Sequence, residues 1–391
     1  MPEAYIAGAV RTAGGRKGGK LAGWHPADLA AQVLDALVER TGADPELIDD
    51  VILGCVVQIG QQAVNVARNA VLASKLPESV PATSIDRQCG SSQQALHFAA
   101  QAVMSGTMDV VIAGGVESMT RVPIGLSTAL PKQNGFGVYK SPAMEVRYPG
   151  VEFSQFTGAE MMARKYDLSR DELDAYSYES HRKAMAATQA GSFDDEIVPL
   201  EVELPDGSTT MHRIDEGIRF DATLDAVRAL APLREGGRIT AAGSSQICDG
   251  ASACLVVNER GLTALGVAPL ARIHHLSVIG HDPVIMLEAP IPATQRALRK
   301  AGMTIDDIDL FEVNEAFAPV PIAWLRTTGA DPAKLNVNGG AIALGHPLGS
   351  SGTKLMTTLL HALARRGGRY GLQTMCEGGG TANVTIVERL G

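Results

Sequence analysis

The chain has 391 residues, which at roughly 150 residues per domain suggests two or three domains and a sizeable core. Hydrophobic residues make up 45% and charged residues 20%, which excludes a disordered or fibrous chain. Aromatics are only 4% and the formal net charge is −9, so neither base-stacking platforms nor a basic face for nucleic acid or anionic membrane is expected. An anionic ligand must therefore be met by local cations.

The first 118 residues alternate apolar strands with amphipathic helices. Tyr5 to Val10 is predicted as a strand. Pro26 to Arg40 is predicted as a helix, with proline in its first turn and Leu29, Val33, Leu34 and Leu37 on one face. Val51 to Val57 reads as a buried strand, Ala63 to Ser74 as a helix, and Thr83 to Asp86 as a short strand leading into Cys89. A helix from about Gly90 to Met104 follows, then the strand Val110 to Ala113, ending in Gly114-Gly115. Such alternation predicts a largely parallel sheet covered by helices. From about Val116 to Gly243 the pattern breaks down: 130 to 157 has no clear period, as in a functional loop, and Ser169 with Glu172 marks a helix start. Beyond about residue 269 the first order returns. Ile48-Asp49-Asp50 reappears as Ile305-Asp306-Asp307, Gly90-Ser91-Ser92 as Gly349-Ser350-Ser351, and Gly114-Gly115 as Gly378-Gly379-Gly380. Two similar α/β halves that pack together are expected.

The five cysteines (Cys55, Cys89, Cys248, Cys254, Cys376) are scattered and form no C-x-x-C pair, so neither a disulfide scaffold nor a zinc ribbon is expected. The first residues show no secretory leader, and no window of 18 apolar residues occurs, so a cytoplasmic protein without membrane insertion is expected. Gly14 to Lys20 imitates the start of a phosphate-binding loop, but Leu21 stands where Ser or Thr should, and no helix is predicted there; a flexible surface turn is the expectation.

Four clusters carry chemistry. Cys89 sits between a strand and a helix, where unpaired amides and the helix dipole favour a thiolate. The alternative, a buried structural cysteine, is the reading for Cys55, Cys248 and Cys254. His346 lies among the glycines of Asn336 to Gly349, a turn where backbone can approach a ligand. Cys376-Glu377-Gly378-Gly379-Gly380 could present amides to an oxyanion. Asn314-Glu315-Ala316-Phe317 follows a predicted strand, where α/β sites gather.

Together these four segments, with Asp215-Glu216-Gly217-Ile218-Arg219 and Thr240-Ala241 followed by Ser245 and Asp249-Gly250-Ala251, resemble the thiolase family over nearly the whole chain. The resemblance implies a five-layered αβαβα core of two similar halves with an inserted loop domain. Residues 1–118, completed by about 244–268, would form the first half, 119–243 the loop domain covering the coenzyme A site, and 269–391 the second half. It implies a 3-ketoacyl-CoA thiolase: CoA-dependent cleavage to acyl-CoA and acetyl-CoA, or the reverse condensation, by ping-pong transfer. Carried over by position, Cys89 accepts the acyl group, His346 activates it, and Cys376 is the acid/base. Asn314 would hold a water that, with His346, stabilises the thioester oxyanion, and the amides of Cys89 and Gly378 would form a second oxyanion hole. Arg219 and Ser245 match positions that meet CoA. No metal and no tightly bound cofactor are implied, CoA being a co-substrate, and a homodimer or homotetramer is expected. The chain departs from the family at Asp86 and Ser92, where Asn and Gly are frequent. Ser154 and Gln155 replace the His-Met of acetoacetyl-specific members, which favours a bulkier 3-ketoacyl chain. The alternatives are an acetoacetyl-CoA-specific acetyltransferase and a non-catalytic acyl-CoA-binding protein. The latter would be expected to lack Cys89, His346 and Cys376. A papain-like hydrolase fails for want of a suitable Trp after Cys89 and of the matching fold.

Overall fold

The computed structural model describes residues 2–391. Its main sheet runs, from one edge, Ala82–Ile85, Asp50–Gly54, Val110–Ser118, Cys248–Val257 and Tyr5–Thr12, then Ala271–Gly280, Thr381–Arg389, Tyr370–Glu377 and Leu310–Val313. In the first half three parallel strands are followed by two antiparallel ones. The second half has the same order: Leu310–Val313 is parallel to Tyr370–Glu377, and Thr381–Arg389 and Ala271–Gly280 follow antiparallel. A parallel bridge from Phe311 to Leu335 stands where Ala82–Ile85 stands in the first half. The two halves meet edge to edge only through Tyr5 opposite Arg272 and Ile6 opposite Ala271.

Three apolar layers separate the sheets and helices. Leu29, Val33, Leu34 and Leu37 of helix Pro26–Thr41 cover one outer face with Val66 and Val71 of Val66–Ala73. Helices Pro290–Ala301 and Pro319–Thr328 cover the other. Between the sheets lie helices Ser91–Ser105 and Ser351–Arg366, whose Leu96, Ala99 and Ala100 share one core with Met356, Leu359 and Leu363. Burial of each such aliphatic side chain contributes roughly 1.5–3 kcal/mol. The N-termini of these two helices, Cys89-Gly90-Ser91 and Gly349-Ser350-Ser351, therefore reach the centre of the molecule.

The repeat is in a different register from the one the short motif suggested. Asp49 Oδ2 accepts from Asp109 N (2.7 Å) and Val110 N (3.0 Å), and Asp309 Oδ2 accepts from Arg369 N (2.7 Å) and Tyr370 N (2.9 Å). Asp309, not Asp306, is thus the counterpart of Asp49. The acidic run Asp306-Asp307 belongs to a preceding short helix, where Asp307 caps Thr304.

Other boundaries move for stated reasons. The strand expected over Val51–Val57 stops at Gly54, because the Val56 and Val57 amides turn to the Glu117 carboxylate (2.8 and 3.1 Å). The helix expected from Ala63 starts at Val66, after Asn65, whose side chain accepts from Arg68 N. The strand expected to end at Ala113 continues to Ser118, paired along its length with Cys248–Val257. The Gly14–Lys20 turn is not a free surface loop: Asp215 accepts from Gly14 N (2.7 Å), and Glu216 from Arg16 N and Lys20 N.

The intervening segment contains helices Gln155–Lys165 and Arg170–Gln189 and a ladder of Leu200–Glu203 with Thr209–His212. The capping box forms as expected, with Ser169 Oγ accepting from Glu172 N and Glu172 Oε2 accepting from Ser169 N (2.8 Å). Two short helices, Leu126–Gln133 and Pro142–Arg147, run into or lie within the 130–157 stretch that lacked periodicity.

Candidate active site

Cys89 ends a tight turn in which Gln88 takes a left-handed φ of 50° and donates its N–H to Asp86 Oδ1 (2.7 Å). That strain delivers Cys89, half-buried, to the N-terminus of helix Ser91–Ser105. The next residue has no room for a side chain: a Cβ on Gly90 would overlap the Glu377 carboxyl. Likewise a Cβ on Gly378 would come within 2.8 Å of Gln88 Oε1. The Cys89 turn and the Cys376-Glu377-Gly378 segment are therefore in direct contact. Cys376 is fully buried, and burial first, then the adjacent Cys89 sulfur, pushes its thiol well above the usual range. The amides of Cys89 and Gly378 donate to no other residue among those described.

His346 is held by the second helix N-terminus. Ser351 Oγ donates to Pro347 O (2.9 Å), so it receives its 2.5 Å bond from His346 Nδ1–H. That leaves Nε2 with a lone pair, and Asn314 Nδ2 approaches it at 3.5 Å. Asn314 Oδ1 is buried without a hydrogen bond among the described residues. The loop before His346 is pinned from below: Lys354 Nζ donates to Leu344 O (2.6 Å) and Gly345 O (3.1 Å), and lies 3.8 Å from Asp215, which forms a buried pair with Arg11. Gln246 O accepts from His346 N, and Gln246 Nε2 donates to Gly217 O and Ile342 O.

Burial, helped by the Lys354 charge, lowers His346 to about 3, so the imidazole is neutral. The expectation of a resting thiolate at Cys89 is corrected here. Burial, then Glu377, then Glu117 and Asp86 outweigh the Cys89 amide and push the thiol to about 12. At neutral pH both the Cys89 thiol and the His346 imidazole are therefore neutral.

Two carboxylates organise this centre, Glu315 of the Asn314-Glu315 pair expected at a strand end and Glu117, which no sequence motif marks. Glu117 accepts from Val56 N, Val57 N, Gln62 Nε2 (2.8 Å) and Gly349 N (2.9 Å), tying the end of one half's strands to the His346 loop of the other. Glu315 accepts from Tyr176 OH, Ser180 Oγ, Asn336 Nδ2 and Ile342 N, fastening helix Arg170–Gln189 to the same loop. Their donors come from remote parts of the chain, so no local motif could announce these bonds.

The two residues matched to CoA sit on other segments. Ser245 is half-buried, its N–H donated to Ala316 O (2.9 Å) beside Asn314-Glu315. Arg219 is exposed, with its N–H on His181 Nδ1 and its guanidinium in no ion pair among the described residues. Ser154 and Thr157, at the start of helix Gln155–Lys165, both face Arg234, and Phe156 meets Phe317 edge to face at 5.3 Å. Cys55, Cys248 and Cys254 are buried free thiols, and no group of three His, Cys, Asp or Glu among the described residues could hold a metal ion.

The model of the thiolase N-terminal domain matches residues 4–260, and that of the thiolase C-terminal domain matches residues 267–389. The steroid 3-ketoacyl-CoA thiolase FadA6 of Mycobacterium tuberculosis is 56% identical over all of this chain and 95% of its own length. The 3-ketoacyl-CoA thiolases of Cronobacter sakazakii and Serratia proteamaculans are each 42% identical, with both chains covered in full.

Proposed function

The chain belongs to the thiolase family, and from that premise we propose that it is a 3-ketoacyl-CoA thiolase working through an acyl-Cys89 intermediate. It is an acyltransferase: 3-ketoacyl-CoA and CoA give a shortened acyl-CoA and acetyl-CoA, and the reverse condensation uses the same groups. The observation that carries the roles below is the contact of the Cys89 turn with the Cys376-Glu377-Gly378 segment, at a helix start that packs against the one holding the His346–Asn314 pair.

In the first half-reaction Cys89 Sγ attacks the C3 ketone carbon while its proton passes to His346 Nε2. Because thiol and imidazole start neutral, this transfer accompanies C–S bond formation and does not precede it. The C2–C3 bond then breaks, its electron pair moves to C2 of the departing acetyl thioester, and Cys376 supplies the proton that C2 takes up. The amides of Cys89 and Gly378 receive the negative charge developing on the ketone oxygen; Asn314, through a water shared with His346, receives that on the acetyl thioester oxygen. In the second half-reaction the CoA thiol gives its proton to the Cys376 thiolate and its sulfur takes the acyl group. Cys89 leaves and recovers its proton from His346.

Arg219 and Ser245 are assigned to CoA, the exposed guanidinium supplying a local cation on a chain of net charge −9. A bulky, ring-bearing 3-ketoacyl group is the favoured substrate. This reading rests on Ser154 and Gln155 and on the steroid substrate in the name of the 56% identical relative. No helix among the described residues is long and apolar enough to cross a membrane. A cytoplasmic homodimer, or a tetramer built from it, fits the open sheet edge at Ala82–Ile85 and the nearby Val64, which is 87% exposed at a φ of 56°.

The test combines a panel of 3-ketoacyl-CoAs, from acetoacetyl to long-chain and ring-bearing, with intact-mass detection of the acyl adduct. Highest kcat/KM on the ring-bearing members and a single adduct on Cys89, absent in Cys89→Ala, are expected. Turnover in Cys89→Ala would overturn the intermediate. A preference for acetoacetyl-CoA would overturn the substrate reading.

A further inference from the structure

Glu377, the carboxyl in contact with the Cys89 turn, has surroundings that do not account for a charge. It closes strand Tyr370–Glu377 and is fully buried. Its Oε2 accepts the Thr381 hydroxyl (2.7 Å), while Oε1 has no hydrogen-bond partner among the described residues. The carboxyl lies against Gly90, next to Cys89, so closely that no Cβ fits between. Glu117, equally buried, fills its oxygens with four N–H donors. An ionised carboxylate with one hydroxyl partner and one bare oxygen is costly in such a place, and the protonated acid is the stable form.

The geometry points to Glu377 as a positioning residue for Cys89: as an acid it leaves the developing thiolate unopposed and offers it an O–H dipole, and as an anion it opposes it. This rests on the nucleophile role proposed above for Cys89. Burial sets Glu377 near 8, against which Thr381 and the Arg87 cation act, so the change falls in the mildly alkaline range. The other titratable groups around the pair are Cys376, Glu117 and Asp86. Glu117 and Asp86 have N–H donors on their oxygens, and burial holds the Cys376 thiol well above this range. On this account Glu377, and neither cysteine, bends the pH dependence of the nucleophile near pH 8.

The experiment follows alkylation of Cys89 by uncharged iodoacetamide, located by peptide mapping, from pH 6.5 to 10 in the intact protein. In the parent the logarithm of the rate should rise with pH, flatten through the Glu377 titration and then rise again. Glu377→Gln should give an unbroken rise, within about twofold of the parent at pH 6.5 and about tenfold faster at pH 9, the effect of one pKa unit. Thr381→Val removes the partner that stabilises the anion, so the flattening should move to higher pH; this variant also serves if Glu377→Gln does not fold. Superimposable profiles, or a loss equal at every pH, would overturn the inference. A parent in which Cys89 is not labelled at all overturns the nucleophile assignment itself.

Discussion

The corner at Glu117 and the corner at Glu377 are built on one plan and do opposite things. Each carboxylate follows, by seven residues, the strand position whose amide is held by Asp49 or Asp309, and each meets the residues that open the other half's central helix. At the first corner every surrounding amide points at the carboxylate, and the result is a clamp between halves. At the second only the Thr381 hydroxyl donates and one oxygen is left bare, a cysteine precedes the carboxyl, and the opposing turn carries another cysteine. A repeated scaffold can thus give one copy of a corner to cohesion and free the other for chemistry. The difference lies in how many donors reach the carboxyl, and three of the four at Glu117 are backbone amides.

The sharpest way to break this comparison is Cys376→Ala. If the second corner is chemical, cleavage of a 3-ketoacyl-CoA and exchange of the acetyl-CoA α-proton into deuterium should fall roughly 10²–10⁴-fold. Slow acylation of Cys89 by a simple acyl-CoA should survive, since a thiolate leaving group needs less help than a carbanion. Near-normal exchange would reduce Cys376 to a packing residue.

Stability should show the reverse ranking. Glu117→Gln puts an NH₂ group among N–H donors and should cost about 3 kcal/mol, lowering the thermal midpoint by several degrees. Glu377→Gln should be neutral or stabilising above pH 8. The sign follows from Glu377 having a folded-state value raised from 4.5 to about 8. The folded chain then holds a proton that the unfolded chain has lost, so stability declines as pH rises from about 4.5 through 8 and levels off beyond. The Gln variant lacks this decline, which should be on the order of 3–5 kcal/mol. Parallel stability–pH curves for parent and Glu377→Gln would contradict the contrast between the corners.

The smallest expected effect lies away from both corners. Arg219→Ala should raise KM for CoA severalfold with kcat little changed, because the nucleotide end is remote from the bond that breaks. A fall in kcat alone would place Arg219 with the chemistry.

Sequence made visible what is local. Pro26 at a helix start, the Ser169–Glu172 box and the apolar faces of the outer helices follow from neighbours a few residues apart. Cys89, His346, Cys376 and Asn314 stood out because glycines and strand ends surround them. The Asp49/Asp309 register was misread by three residues, since a short run of Ile and Asp matches at two offsets and only the amides 60 and 61 residues away decide between them. Lys354 lies within a helix whose apolar pattern hides that its ammonium caps the carbonyls before His346. The Cys89 thiolate expectation failed because the helix amides were visible in the sequence while the burial of the thiol, and the approach of Glu377 to it, were not.

The shared core of helices Ser91–Ser105 and Ser351–Arg366 also bears on descent. Each half would by itself expose one of these helices, with Leu96 or with Met356, Leu359 and Leu363 turned to water, because the sheets touch through only two residue pairs. A lone half is therefore a poor candidate for an independent ancestor. The smallest unit able to keep such a helix dry is a pair of halves, so a gene encoding one half could have persisted only as a self-associating subunit.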